Sequence, residues 1–531
     1  MLLLCAAYVL PGLVGREPWR GAEFTAFGQM AAMAEGRSPW WAPSLGGVPA
    51  DTALLSHWLG AAFIKLGSGW LDPVLAARLP FASLLVLTLA LTWYTTLHLA
   101  RTDAAQPVPF AFGGEAHPVD YARAIADGAV LALIAALGLL LPGHETTPEL
   151  VQLAAGGLWL YGLAAAPYRR GASRLAVLSA LPLLAGSGAP SMAMAMGAGA
   201  MLVCGWSRMA QVRALVPWLA AACAGAALMA MAMGAWKLRT VAMTPDDLQA
   251  VARQWLWFMW QLWPMALWTL WRWRRQLSYR HLSVPLSVVV VALAANLAMA
   301  GSDRALLLGL PALAVLAAFA LPTLKRSASA AIDWFSMFFF TLVALWFWLV
   351  YAALHTGAPA WQARNVFKLL PGFEPKFSAL ALCFALLGSA AWVAIVRWRT
   401  GRHREALWKS LVLPASGVAL CWLLAMTLWL QPLDYARSAR PWVRAVAAHV
   451  PPQACIQAPG LAPSSVAALE TLGRWTVDAR ISPQLRCEFL LRVVRQRLVP
   501  AAPNGWTLVG QARRPTDRED LTLIYRRTGG R

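Results

Sequence analysis

Apolar runs of roughly 20 residues, separated by short polar connections, dominate the first 430 positions of the chain. A run of that length crosses a hydrocarbon core of about 30 Å as a helix and bonds every backbone group internally. Runs near 1–14, 76–100, 126–142, 150–167, 174–187, 191–207, 214–234, 254–271, 283–299, 305–321, 334–353, 378–397 and 410–430 predict about thirteen spans. The runs 174–187 and 191–207 are short and joined only by Gly186–Pro190, so they read as broken helices or a re-entrant pair. The stretch 53–67 is too short to span and reads as a helix lying in the interface. The first run carries no basic flank before Leu2 and no small-residue cleavage site after it, which is not a cleaved signal peptide. Its shortness raises the expectation of a longer natural start.

Beyond Gln431 the pattern changes. Apolar runs shorten, and Pro, Arg and Asp become frequent. Helical periodicity near 435–449, 463–473 and 484–498 alternates with the strand-like segments WTVD, WTLVG and LTLIY. The expected fold class is an all-α polytopic membrane protein with a small C-terminal α/β domain. Residues 1–431 form the membrane domain, with an outer loop at 15–58, and 432–531 form the terminal domain.

Composition agrees: 59% of the 531 residues are hydrophobic and 13% are charged, against about 25% charged in soluble chains. The net charge of +21 is not a nucleic-acid footprint, because the basic residues sit in short connections beside apolar runs. Connections 101–125, 168–174, 207–213, 272–281, 323–333 and 397–409 hold about 18 Lys and Arg, and the intervening ones about 10 in a greater length, which places the former inside. The first loop then lies outside. Thirteen spans put the terminal domain on that side too, and one span more or fewer would move it. Cys455 and Cys487 fall in the terminal domain and the other five cysteines in apolar runs. A bridge between the two suits an oxidising outer compartment, and two buried thiols are the alternative.

Candidate chemistry concentrates in the first loop, which carries Glu17, Glu23, Glu35 and Asp51 in a chain otherwise sparing of acids. No Cys or His spacing suggests a metal site, and Gly113-Gly114 and Gly186–Gly188 form no nucleotide-binding fingerprint. A soluble nucleotide cofactor or donor is therefore not expected. Most of the 29 tryptophans fit aromatic belts at the two interfaces, while Trp40, Trp41 and Trp58 are placed to stack on a ligand.

The order of features resembles the aminoarabinose transferase and protein O-mannosyltransferase group of GT-C membrane glycosyltransferases. Pro18-Trp19 precedes Ala22-Glu23, where that group has an Asp-Glu pair. Met33, Trp40, Pro43, Gly47 and Trp58 follow in order. Ala77-Arg78-Leu79-Pro80 matches the group's Ala-Arg-Leu-Pro run, 144–163 matches its second outer loop and following helix, and 306–317 matches a Pro-containing helix. Three positions depart. Ala22 stands for the Asp of the pair, Asp51-Thr52-Ala53-Leu54 for a Glu-Lys-Pro-Pro segment, and Pro148, flanked by Glu145 and Glu149, for a second-loop Asp.

The resemblance implies transfer of a sugar from a polyprenyl-phosphate carrier to a lipid, glycan or protein acceptor at the outer face of a bacterial inner membrane. Such transfer needs a base at the acceptor hydroxyl and cations at the departing phosphate. Glu23 is the leading base, with Glu17 and Asp51 behind it. Arg20, Lys237, Arg239 and Arg304 are candidates for the phosphate, and Trp58, His144 and Glu145 for lining the site. Lys237 and Arg239 equally fit anchors that snorkel to the interface, and Arg304 equally fits a pair with Asp303. A transporter of a lipid-linked substrate and a non-catalytic relative are the competing readings. The absence of an obvious internal repeat counts against the transporter.

Overall fold

In the computed structural model, residues 1–19, 21–50, 53–107, 117–236, 240–401, 410–481, 487–495, 501–517 and 519–528 are described. Helices fill the apolar runs, and a small mixed sheet follows them. Among the described residues six helices are long and apolar enough to cross a membrane, or up to eight if each of two bent pairs is one span. The chain is thus a multi-pass membrane protein, and the expected count of thirteen crossings is not reached by that measure.

The expected spans 126–142 and 410–430 fall in the two bent pairs, and three further runs differ from expectation. The first forms only the helix Leu2–Val9 before the chain turns. The run 254–271 is split into Pro245–Phe258 and Leu262–Arg272, with Gln261 at φ 70° between them. A Thr244–Asp247 capping box starts the earlier helix, well before the apolar run begins, so its first half is polar and amphipathic. The run 334–353 lies within a 31-residue helix, Arg326–Thr356. The pair around Gly186–Pro190 does form two separate helices, Arg170–Gly186 and Pro190–Gly205.

Helix Asp303–Ala318 is apolar on every face and almost wholly buried, which puts it at the centre of the bundle. Arg326–Thr356 and Ala379–Thr400 lie at the periphery and turn Phe338, Leu342, Leu380 and Leu387 outward. That is the exchange expected where lipid, rather than water, covers the surface.

The first loop contains helix Ala22–Ala34, a ribbon of β1 (Ser44–Leu45) and β2 (Val48–Pro49), and helix Leu54–Gly67. The terminal domain has strands β3 (Cys455–Gln457), β4 (Thr476–Asp478), β5 (Phe489–Arg495), β6 (Trp506–Ala512) and β7 (Asp520–Arg527). They form one sheet in the order β4-β3-β5-β7-β6, with β3 parallel to β4 and β5 and the other pairs antiparallel. The helix expected over 484–498 is thus replaced by β5 within its described part. FLLRVVR pairs along its length with β7, burying Phe489, Leu490 and Leu491, and Leu491 lies opposite Ile524.

The first loop and the terminal domain occupy one face and pack on each other. Phe24, Ala32 and Leu45 of the loop share a core with Val466, Ala467 and Trp475 of the domain. Gly28 allows the close approach, since a Cβ there would overlap that of Ala467. Glu470 ties the contact by accepting from Arg37 Nη1 at 2.9 Å and from the Gly46 N–H at 2.9 Å. The Ala479 N–H donates to the Gly46 carbonyl at 2.8 Å.

A disulfide joins Cys455 at the start of β3 to Cys487 just before β5. Closing a loop of 32 residues restricts the unfolded domain by about 3–4 kcal/mol. Cys455→Ser and Cys487→Ser are expected to lower the melting temperature of the terminal domain in the full-length protein, followed by tryptophan fluorescence with and without reductant. Unchanged melting in both variants would remove the bridge from the stability of the fold.

Candidate active site

Glu23 begins the loop helix, and its carboxylate is 2% exposed. Arg16 approaches it in a fork, with Nη2 at 2.6 Å from Oε1 and Nη1 at 2.7 Å from Oε2. The Trp19 N–H donates to Oε2 at 2.9 Å, and Arg78 Nη2 reaches Oε1 at 3.3 Å. Arg78 also donates to the Arg16 carbonyl, and Arg16 to the His144 carbonyl at 2.8 Å. Burial by itself would raise the pKa of Glu23. The two guanidiniums and the hydrogen bonds from Arg16 and Trp19 outweigh burial and hold it below the ordinary carboxylate range.

This junction reaches the start of the terminal domain. Trp19 lies under the guanidiniums of Arg16 and Arg437, 4.9 and 5.0 Å from its ring centre, and its indole N–H donates to Asp434 at 2.7 Å. Glu17 accepts from Ser438 Oγ at 2.5 Å and pairs with Arg440. His144 is wedged beside Tyr8 and Trp422, with its ring nitrogens 2.7 and 2.8 Å from the Leu140 and Tyr8 carbonyl oxygens. Glu17, Glu23 and His144 therefore tie elements together.

A hollow of about 440 Å³ opens beside the junction, between the loop helix, the start of helix Pro148–Ala165 and the terminal domain. Ala22, Thr25 and Gln29 form one wall, so the loop helix turns its small and polar residues to the hollow and Glu23 away from it. His57, Glu149, Gln152, Ser187 and Arg304 supply the remaining polar lining among the described residues. Arg304 pairs with Glu149 at 2.5 Å, across the chain, instead of with the adjacent Asp303. Gln152 donates to the Ser187 carbonyl at 2.8 Å, which ties the break after Gly186 to the rim.

Glu145 stands between the two charged groups. Burial first, then the nearby negative charge of Glu23, raises its pKa to about 7 against the opposing pull of Arg304 and Arg16. Trp58 donates its indole N–H to the Trp40 carbonyl at 2.7 Å and meets the Trp41 ring edge-on at 5.0 Å. It braces the loop and is not part of the hollow wall. Of the remaining candidates, Arg20, Asp51, Lys237 and Arg239 lie outside the described residues, although Ala50 and Ala53 on either side of Asp51 line the hollow. Among the described residues no cluster of His, Cys, Asp or Glu could hold a metal ion.

His57, Gln29 and Gln152 were not marked by any motif. His57 lies beside the matched Trp58, and Glu149 beside the divergent Pro148, which is the nearest thing to a signal.

Solved structures share this architecture. The crystal structure of ArnT from Cupriavidus metallidurans bound to undecaprenyl phosphate is 13% identical, with a TM-score of 0.62 over 98% of this chain and 96% of that one. The apo structure of the same protein gives a TM-score of 0.60 at the same identity and coverage. The chain has the GT-C fold of ArnT. No family model matches the chain, and no curated protein matches it. At this identity the likeness fixes the architecture, and residue roles have to come from the geometry.

Glu23→Gln leaves two buried guanidiniums without their anion, and breaking such a pair costs about 3–5 kcal/mol. The variant is expected to lose folded yield and thermal stability in detergent, whereas a Glu23 with no structural role would leave both at wild-type level. The two acids also differ with pH. The depressed pKa of Glu23 makes its contribution present at neutrality and lost as pH falls through the folded value. The raised pKa of Glu145 gives a contribution that is full below the ordinary carboxylate value and fades as pH rises through about 7. Thermal melts of wild type and Glu145→Gln across that interval read the second effect as a difference that grows toward alkaline pH.

Proposed function

We propose that the protein is an inner-membrane glycosyltransferase that moves a sugar from a polyprenyl-phosphate carrier to an acceptor hydroxyl, with the first loop and terminal domain on the periplasmic side. The observation that carries this reading is the hollow at the junction of membrane helices, first loop and terminal domain, with an arginine and a glutamate paired on its wall. The fold agrees, since a protein of the same architecture binds undecaprenyl phosphate.

In this reading Arg304 receives the carrier phosphate. A guanidinium matches phosphate in a forked geometry, and taking up the phosphate frees Glu149 from its present ion pair. Glu149 then accepts the proton of the acceptor hydroxyl as the oxygen attacks the anomeric carbon. The bond from that carbon to the phosphate oxygen breaks, and polyprenyl phosphate leaves beside Arg304. The proton passes from Glu149 to water. Glu23 fixes the loop helix that forms the opposite wall and is not the base in this scheme. Asp51, whose flanking residues line the hollow, is the second candidate for that role.

Purified protein in nanodiscs, supplied with undecaprenyl phosphate, is expected to bind it and to be stabilised by it. Arg304→Ala should weaken binding at least tenfold. Glu149→Gln should keep binding but lower transfer by about 10²–10⁴-fold, the usual contribution of a positioned base. Full transfer by Glu149→Gln with loss in Asp51→Asn would move the base to Asp51. Failure of the wild-type protein to bind undecaprenyl phosphate would defeat the transferase reading.

A further inference from the structure

A second cavity, of about 960 Å³, lies on the terminal domain, near the upper end of the roughly 300–1,000 Å³ typical of ligand pockets. Its walls include Gly21, Trp442, Ser464, Ser465, Arg514 and Asp520. Leu461 lines both this cleft and the hollow, and the consecutive residues Gly21 and Ala22 line the cleft and the hollow respectively. The two spaces therefore meet at the start of the loop helix. Gly21 takes φ 102° there, a conformation that disfavours a side chain.

The lining of the cleft mixes apolar and polar side chains, and the polar ones are held in place. Arg514 Nη2 donates to Ser465 Oγ at 2.9 Å, and its guanidinium lies over the Trp442 ring at 5.2 Å. The Trp442 indole N–H is itself fixed by Thr522 Oγ1 at 3.0 Å. Two carboxylates, Asp517 and Asp520, share the lining with two guanidiniums, Arg492 and Arg514. Among the described residues the formal charge of the lining thus cancels, which disfavours a strongly anionic ligand. The guanidiniums, the carboxylates and the hydroxyls of Ser464, Ser465 and Thr522 supply both the donors and the acceptors that sugar hydroxyls need.

We propose that this cleft binds a hydroxyl-rich, uncharged saccharide portion of the acceptor and leads it over Leu461 into the hollow. The inference rests on the transferase reading, since it gives the hollow its second substrate. A lipid-linked donor reaches the hollow from the membrane, and the cleft supplies an approach from the water side.

The test uses the labelled full-length protein in nanodiscs on a printed array of soluble bacterial surface oligosaccharides, with vesicles bearing the same saccharides as glycolipids as a second arm. Wild type is expected to bind a subset of saccharides, and Arg514→Ala and Asp520→Asn to lose at least tenfold in apparent affinity. Asp520 is exposed at the start of β7, so its conservative variant reads the cleft even if Arg514→Ala disturbs the domain. Binding only in the vesicle arm, with the same loss in the variants, assigns the cleft to a glycolipid acceptor, and binding in both arms assigns it to the saccharide alone. Absence of saccharide binding in both arms, or equal binding by wild type and Asp520→Asn, overturns the proposal. Undecaprenyl phosphate binding, measured on the same samples, tests the transferase reading separately: its loss with saccharide binding intact defeats that reading and leaves the cleft as a saccharide site.

Discussion

A buried carboxylate between two buried guanidiniums fixes the face of this protein that carries the first loop and the terminal domain. Glu23 accepts from Arg16, Arg78 and the Trp19 N–H, and Arg16 passes the connection to the His144 carbonyl. Each ion is costly to remove from water, and the group persists because every charge has fixed partners. It holds the entry of the loop helix to the Pro73–Ala100 helix, and through Trp19 and Glu17 it reaches the start of the terminal domain. The position of the hollow follows, since its wall is the face of the loop helix turned away from this cluster.

The hollow has its own charge pair, which differs in kind. Glu23 is sealed, whereas Arg304 keeps a side-chain exposure of 36% beside Glu149. A sealed pair resists exchange of partners, and a half-buried one gives up its carboxylate to an incoming anion at lower cost. That contrast is why the proposed scheme gives Glu23 a structural part and Arg304 and Glu149 the reacting ones. In the proposed scheme the carboxylate comes from Glu149 on the facing helix, and position 22 holds Ala.

Much of the membrane domain was legible because span length is a local constraint, visible wherever an apolar run reaches it. The break after Gly186 and the short helix Leu54–Gly67 were equally local. The run 254–271 misled because Thr244 and Asp247 cap a helix that starts earlier, in polar sequence. Phe489–Arg495 was read as helix because its apolar positions fit either period, and the strand that decides the matter, β7, lies beyond it in sequence.

The site was harder to read. Arg78 sat in a matched motif, but nothing near it pointed to Glu23, 55 residues earlier. Arg304 and Glu149 are likewise brought together only by the packing of their helices. An acid in a loop advertises chemistry, and its arginine partners, one seven and one 55 residues away, turn it into structure. A cryo-EM structure of the full chain with undecaprenyl phosphate in nanodiscs tests the central claim most directly. The account predicts the phosphate in the hollow within hydrogen-bond reach of Arg304, Glu149 released from that arginine, and Glu23 still held by Arg16 and Arg78. Phosphate bound to Arg16 or Arg78 with Glu23 displaced, or bound away from the hollow, would contradict it.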